Sequence, residues 1–88
     1  MKVKTMKDEE GNVVTSQIII HDDDNNEFFQ SFDKIVAKKG QSGKVYLDKH
    51  WTFEGVLAKH FLTLFLEETA EKIEEKIHSG EYSLANLN

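Results

Sequence analysis

Several groups of side chains in this sequence could do chemistry, and each can be weighed on spacing alone. In Asp22-Asp23-Asp24-Asn25-Asn26 the oxygens of Asp22, Asp24 and Asn26 fall at the first, third and fifth positions of an EF-hand calcium loop. The sixth position is Glu27, where the sharp turn of such a loop needs glycine, so capping of a following helix is the better use of these oxygens. The four histidines, His21, His50, His60 and His78, show neither i, i+4 pairing nor a His-Glu-x-x-His pattern, and no metal site is expected from them. Ser42 lies in Gly40-Gln41-Ser42-Gly43, which is not a nucleophile elbow, and a phosphate-cradling Gly-x-x-x-x-Gly-Lys-Ser/Thr loop is missing. Glu67, Glu68, Glu71, Glu74 and Glu75 are interleaved with Lys72 and Lys76, the pattern of a solvated helix face. No titratable pair stands at a spacing that catalysis needs, so the expectation is a protein that binds without catalysing and carries no cofactor.

The lysines remain. Between Lys34 and His60 there are six lysines against only Asp48 and Glu54, in a chain of 88 residues whose net charge is −5. Such an imbalance describes a basic contact stretch on an acidic body. Arginine, the commonest reader of guanine edges, is absent from the sequence, which argues against base-specific readout. Cysteine is absent too, so disulfides and cysteine-ligated zinc are excluded as supports for a small core. The length fits one domain, residues 1–88. The longest apolar run, Phe61-Leu62-Thr63-Leu64-Phe65-Leu66, falls far short of the ~20 residues that span a bilayer, and Met1 to Lys7 lacks the apolar stretch of a signal peptide. The expected location is the cytoplasm, with no membrane partner.

The elements that would position these residues follow from apolar periodicity. Lys2 to Lys7 and Val13 to Ile20 are β-rich runs around the turn-forming Asp8-Glu9-Glu10-Gly11-Asn12 and predict an antiparallel hairpin, with the second strand inside the sheet. From Asn26 to Lys38, Phe28, Phe29, Phe32, Ile35 and Val36 fall at the i, i+1, i+4, i+7, i+8 positions of an amphipathic helix ended by Gly40. Lys44 to Asp48 reads as a third strand. Thr52 then caps a helix from Phe53 to about His78, with Trp51 and Val56 as a hydrophobic staple. The expected fold class is α+β, a small ββαβα domain with an N-terminal β-hairpin and a long C-terminal helix.

A helix of that length would run nearly ~40 Å at 1.5 Å per residue, against a body only ~30 Å across. Its apolar line Leu66, Ala70, Ile73, Ile77 would overhang, and a homodimer packed along these four residues is the simplest way to cover it.

Lys38-Lys39-Gly40-Gln41-Ser42-Gly43-Lys44-Val45-Tyr46-Leu47-Asp48-Lys49-His50-Trp51 resembles the signature of small AbrB/MazE-type swapped-hairpin DNA-binding proteins. In that family a basic strand, a Gly-x-Ser-Gly-like turn and a Val-x-Leu-Pro-Lys strand lead into a short helix; Asp48 stands here where proline is usual. The resemblance implies an intertwined homodimer whose phosphate-facing residues are Lys38, Lys39, Lys44 and Lys49. Two functional expectations result. One is a homodimeric protein-interaction module, an inhibitor or adaptor of phage or mobile-element type. The other is an AbrB-like nucleic-acid-binding regulator or antitoxin. A net charge of −5 repels nucleic acid at long range and favours a protein partner over nucleic acid.

Overall fold

The computed structural model describes residues 1–51 and 55–88, so the expected Thr52 cap and the Phe53 helix start lie outside the described residues. The fold is α+β: a six-stranded sheet and two helices, in the order β1 (Lys2–Lys7), β2 (Val13–His21), β3 (Glu27–Ser31), β4 (Lys34–Lys39), β5 (Val45–Asp48), α1 (Gly55–Leu66), α2 (Ala70–Ser79) and β6 (Tyr82–Ala85). The sheet order is β1-β2-β3-β4-β5-β6; the first five strands form an antiparallel meander and β6 joins β5 in parallel. No helix among the described residues is long and apolar enough to cross a membrane.

The segment Asn26 to Lys38 is not a helix but the β3–β4 hairpin. Its two-residue turn is Phe32-Asp33, with Phe32 at φ +56° and its carbonyl accepting from the Gln30 side-chain amide at 2.8 Å. Three features imitate a helical stripe. Phe28 and Phe29 point to opposite faces, Phe32 occupies the turn, and the register slips so that Phe29 pairs with Ala37 while Gln30 pairs with Ile35. The extra residue of this bulge, Val36, is buried beside Ala37. The Asp22 cluster consequently caps no helix. It closes the β2–β3 turn, where Asp22 Oδ1 accepts from the N–H groups of Asp24 and Asn26, both at 2.9 Å.

The long C-terminal helix is likewise two helices. Glu67 adopts φ +56° after Leu66, and the Glu68 N–H reaches back to the Thr63 carbonyl at 3.1 Å, the six-to-one bond of a Schellman ending. Thr69 then starts α2 by accepting from the Lys72 N–H, and Gly80 ends it at φ +85°. A helix of 12 residues is only ~18 Å long, well inside a body measuring 34 × 29 × 21 Å. The predicted overhang does not exist.

Both helices lie on one face of the sheet. Phe61, Leu62, Phe65 and Ile73 meet Phe29, Ala37, Val45 and Leu47 from the strands, with the Phe29 and Phe65 rings stacked at 5.8 Å. β6 brings Tyr82 into this core and is held beyond its own ladder as well. The Lys49 N–H donates to the Ala85 carbonyl, and the Leu87 N–H donates to Asp48 Oδ1 at 2.9 Å. Asn88 completes the edge: its side-chain oxygen accepts from Ile35 N–H and its amide donates to Ile35 C=O.

Candidate functional site

Because one face of the sheet is taken by the helices, the residues alternating with the core point the other way. Two cross-strand rows result. One runs Val3, Ile20, Phe28, Lys38, Tyr46, Ser83 from β1 to β6, and the other Thr5, Ile18, Gln30, Ile35 from β1 to β4. Most of these residues are half-buried by their neighbours within the sheet, and Val3 is 57% exposed. Antiparallel sheets commonly leave one face to water, but that face then carries polar residues. Here it carries Ile18, Ile20, Phe28, Ile35 and Tyr46, and neither row contains a carboxylate.

Lys38 lies at the centre. Its ammonium is 5.6 Å from the Phe28 ring centroid and 5.7 Å from that of Tyr46, and the Lys44 ammonium is 5.3 Å from the Tyr46 centroid. At these distances a cation is attracted to the negative face of a ring. Two aromatic rings and two cations are thus held together by three neighbouring strands, with the sheet fixing their spacing.

The structure separates the four lysines singled out from the sequence. Lys38 and Lys44 share the uncovered face. Lys39, next in β4, lies on the helix side with its ammonium 4.5 Å from the Phe65 ring. Lys49 is exposed in the turn after β5. Sequence reasoning missed Phe28 and Tyr46 as site residues; the signal was the alternation of Tyr46 with Val45 and Leu47, which a strand reading of residues 27–39 would have extended to Phe28.

The four residues expected at a dimer interface face their own chain for the most part. Leu66 and Ile73 are buried in the core, Ile73 at 1% exposure, and Ile77 packs against that core. Ala70, the first residue of α2, is exposed yet borders a small hollow with Trp51, Leu62 and Ile73.

A second cluster of titratable groups sits where the α1–α2 turn meets β6. Glu68 accepts hydrogen bonds from the Lys76 ammonium and the Tyr82 hydroxyl, and Lys76 also pairs with Glu81 at 3.4 Å. Burial pushes the Glu68 carboxyl up, but the bonds from Lys76 and Tyr82 outweigh it and hold the group below the ordinary carboxylate value. The Tyr82 hydroxyl is pushed up to about 12 by burial and by its bond to Glu68. All three members satisfy one another, as expected of a group that ties a turn to a strand.

Comparison of the chain with protein-family models, curated proteins and solved structures finds no match.

Proposed function

We propose that this protein is a non-enzymatic binding module whose contact surface is the uncovered face of the sheet. The observation that carries this reading is the apolar row Val3, Ile20, Phe28, Tyr46 with Lys38 between Phe28 and Tyr46, turned away from both helices. The largest apolar patch on a small domain is often its functional surface. The same observation moves the expected contact from the C-terminal helix to the sheet, since Leu66 and Ile73 are engaged within their own chain.

The test is affinity capture from a lysate of the producing cells, using the unaltered protein and an Ile20→Thr, Phe28→Thr double variant. Threonine keeps strand propensity while removing the apolar patch. Thermal melting confirms that the variant is folded. Material held by the unaltered protein and lost from the folded variant supports the reading; equal capture by both sinks it.

A further inference from the structure

The chemistry of the uncovered face narrows its occupant, an argument that rests on the binding role proposed above. A second copy of the chain fits poorly. The apolar strip spans four inter-strand spacings, ~19 Å, by two rows, an area of only ~300 Å², whereas a stable interface takes about 800 Å² from each partner.

Two cations beside two aromatic rings suit an occupant that is anionic and presents flat apolar surfaces, although the net charge of −5 opposes its approach at long range. Phe28 and Tyr46 are two strands apart in one row, a separation of ~10 Å. Lys38 lies between them, and Lys44, two residues before Tyr46, also approaches the Tyr46 ring. The two rows themselves carry no carboxylate; the nearest one acting on Lys38 is Asp22, just past the end of β2. We infer that this face binds single-stranded nucleic acid, with bases stacking on Phe28 and Tyr46 and phosphates meeting Lys38 and Lys44. Stacking of this kind needs no arginine and little sequence preference, because every base offers a π-face. It also differs from a duplex interface, which would need the cations set along a groove and the bases left paired.

The experiment is a fluorescence-anisotropy titration of a labelled 15-nucleotide oligothymidylate, repeated across salt concentrations and with a duplex of equal length. The expected result is binding to the single strand in preference to the duplex. Phe28→Leu and Tyr46→Leu keep the apolar area and remove the π-face, and each is expected to weaken binding by about 5- to 150-fold. Lys38→Gln and Lys44→Gln are each expected to reduce the log–log salt slope by about 0.7. Lys39→Gln alters the adjacent residue on the opposite face and is expected to leave the slope unchanged. No binding at 100 µM protein in ~0.1 M salt would overturn the inference, that ionic strength being about physiological. So would equal affinity for the duplex, or affinity indifferent to the Phe28 and Tyr46 changes in folded protein. A sedimentation mass of a dimer that Phe28→Leu dissolves would assign the face to a second copy and overturn it as well. If the oligonucleotide fails while lysate capture still depends on Ile20 and Phe28, the nucleic-acid inference falls and the binding-face reading stands.

Discussion

Lys38 and Lys39 are neighbours in β4 with opposite surroundings: the ammonium of Lys38 lies among Phe28 and Tyr46 on the uncovered face, and that of Lys39 lies 4.5 Å from the Phe65 ring of α1. Strand alternation alone produces this division. A basic dipeptide that looks like one charged patch in the sequence therefore serves two unrelated surfaces, and only one of the pair is available to a ligand on the sheet. Because Lys39 covers an aromatic ring of the core edge with its stem, Lys39→Ala is expected to cost about 0.5–1 kcal/mol of stability. Urea denaturation measures it.

Ile73 tests where the apolar line of α2 points. It is 1% exposed in the core of a single chain, so Ile73→Ala is expected to destabilise the protein by about 3 kcal/mol through lost burial and the cavity left behind. The loss is expected to be independent of protein concentration. A midpoint that shifts with concentration would instead place Ile73 between two chains.

Phe32 occupies a left-handed turn position at φ +56° while 61% of it is exposed. A bulky residue there carries backbone strain with little burial to offset it. Phe32→Asn is expected to raise stability by about 0.5–1 kcal/mol, since asparagine tolerates this conformation. The thermal midpoint is the readout, and a fall would show that the ring contributes packing that outweighs the strain.

The Glu68 cluster sets the pH limits. Its carboxyl sits below the ordinary 4.5 in the fold, so its stabilising contribution is complete above that value and is lost as pH falls through the lower folded value. Asp22 and Asp48 act in the same direction. The Asn26 side chain and N–H hold Asp22 below 3.8; burial raises Asp48, but the N–H groups of Leu87 and His50 outweigh it. Tyr82 has the opposite sign: raised from 10.0 to about 12, it contributes stability below pH 10 that is lost as pH rises towards 12. Thermal midpoints measured across pH are therefore expected to be flat from about pH 5 to 9 and to fall on both sides. Glu68→Gln, which removes the charge that Lys76 and Tyr82 share, is expected to cost about 2 kcal/mol at pH 7 and to flatten the acid limb.

Some of this architecture was legible in the sequence and some was hidden for identifiable reasons. The runs at Lys2–Lys7, Val13–Ile20 and Lys44–Asp48 locate β1, β2 and β5 because β-branched residues cluster between clear turn signals. Residues 26–38 deceived because the uncovered face is itself apolar. With Phe28 on one side, Phe29 on the other, Phe32 in a turn and a bulge at Val36, the period of two disappears. The aromatic and β-branched character of Phe28, Phe29, Ile35 and Val36 was the surviving strand signal. The break after Leu66 carries no glycine or proline, since Glu67 takes the left-handed position; only the capping threonine Thr69 announced it. Of the candidate site, Lys38 and Lys44 were legible only as two of six lysines in a basic stretch, set apart with Lys39 and Lys49 by the AbrB/MazE-type resemblance. Their aromatic neighbours were hidden by the helical reading of residues 26–38, since the alternation that marks Tyr46 extends to Phe28 only once that segment is read as a strand.

The parallel docking of β6 against β5 also orders events in time. Strands β1 to β5 are joined by local hairpins, whereas β6 follows both helices in the chain, so its pairing with β5 closes a longer loop. As the chain emerges during synthesis, β5 is for a while the bare rim of a finished meander, with Val45, Tyr46 and Leu47 lacking a hydrogen-bonding neighbour on that side. Until Tyr82–Ala85 is paired, that rim is an open strand edge of the kind that another chain can join.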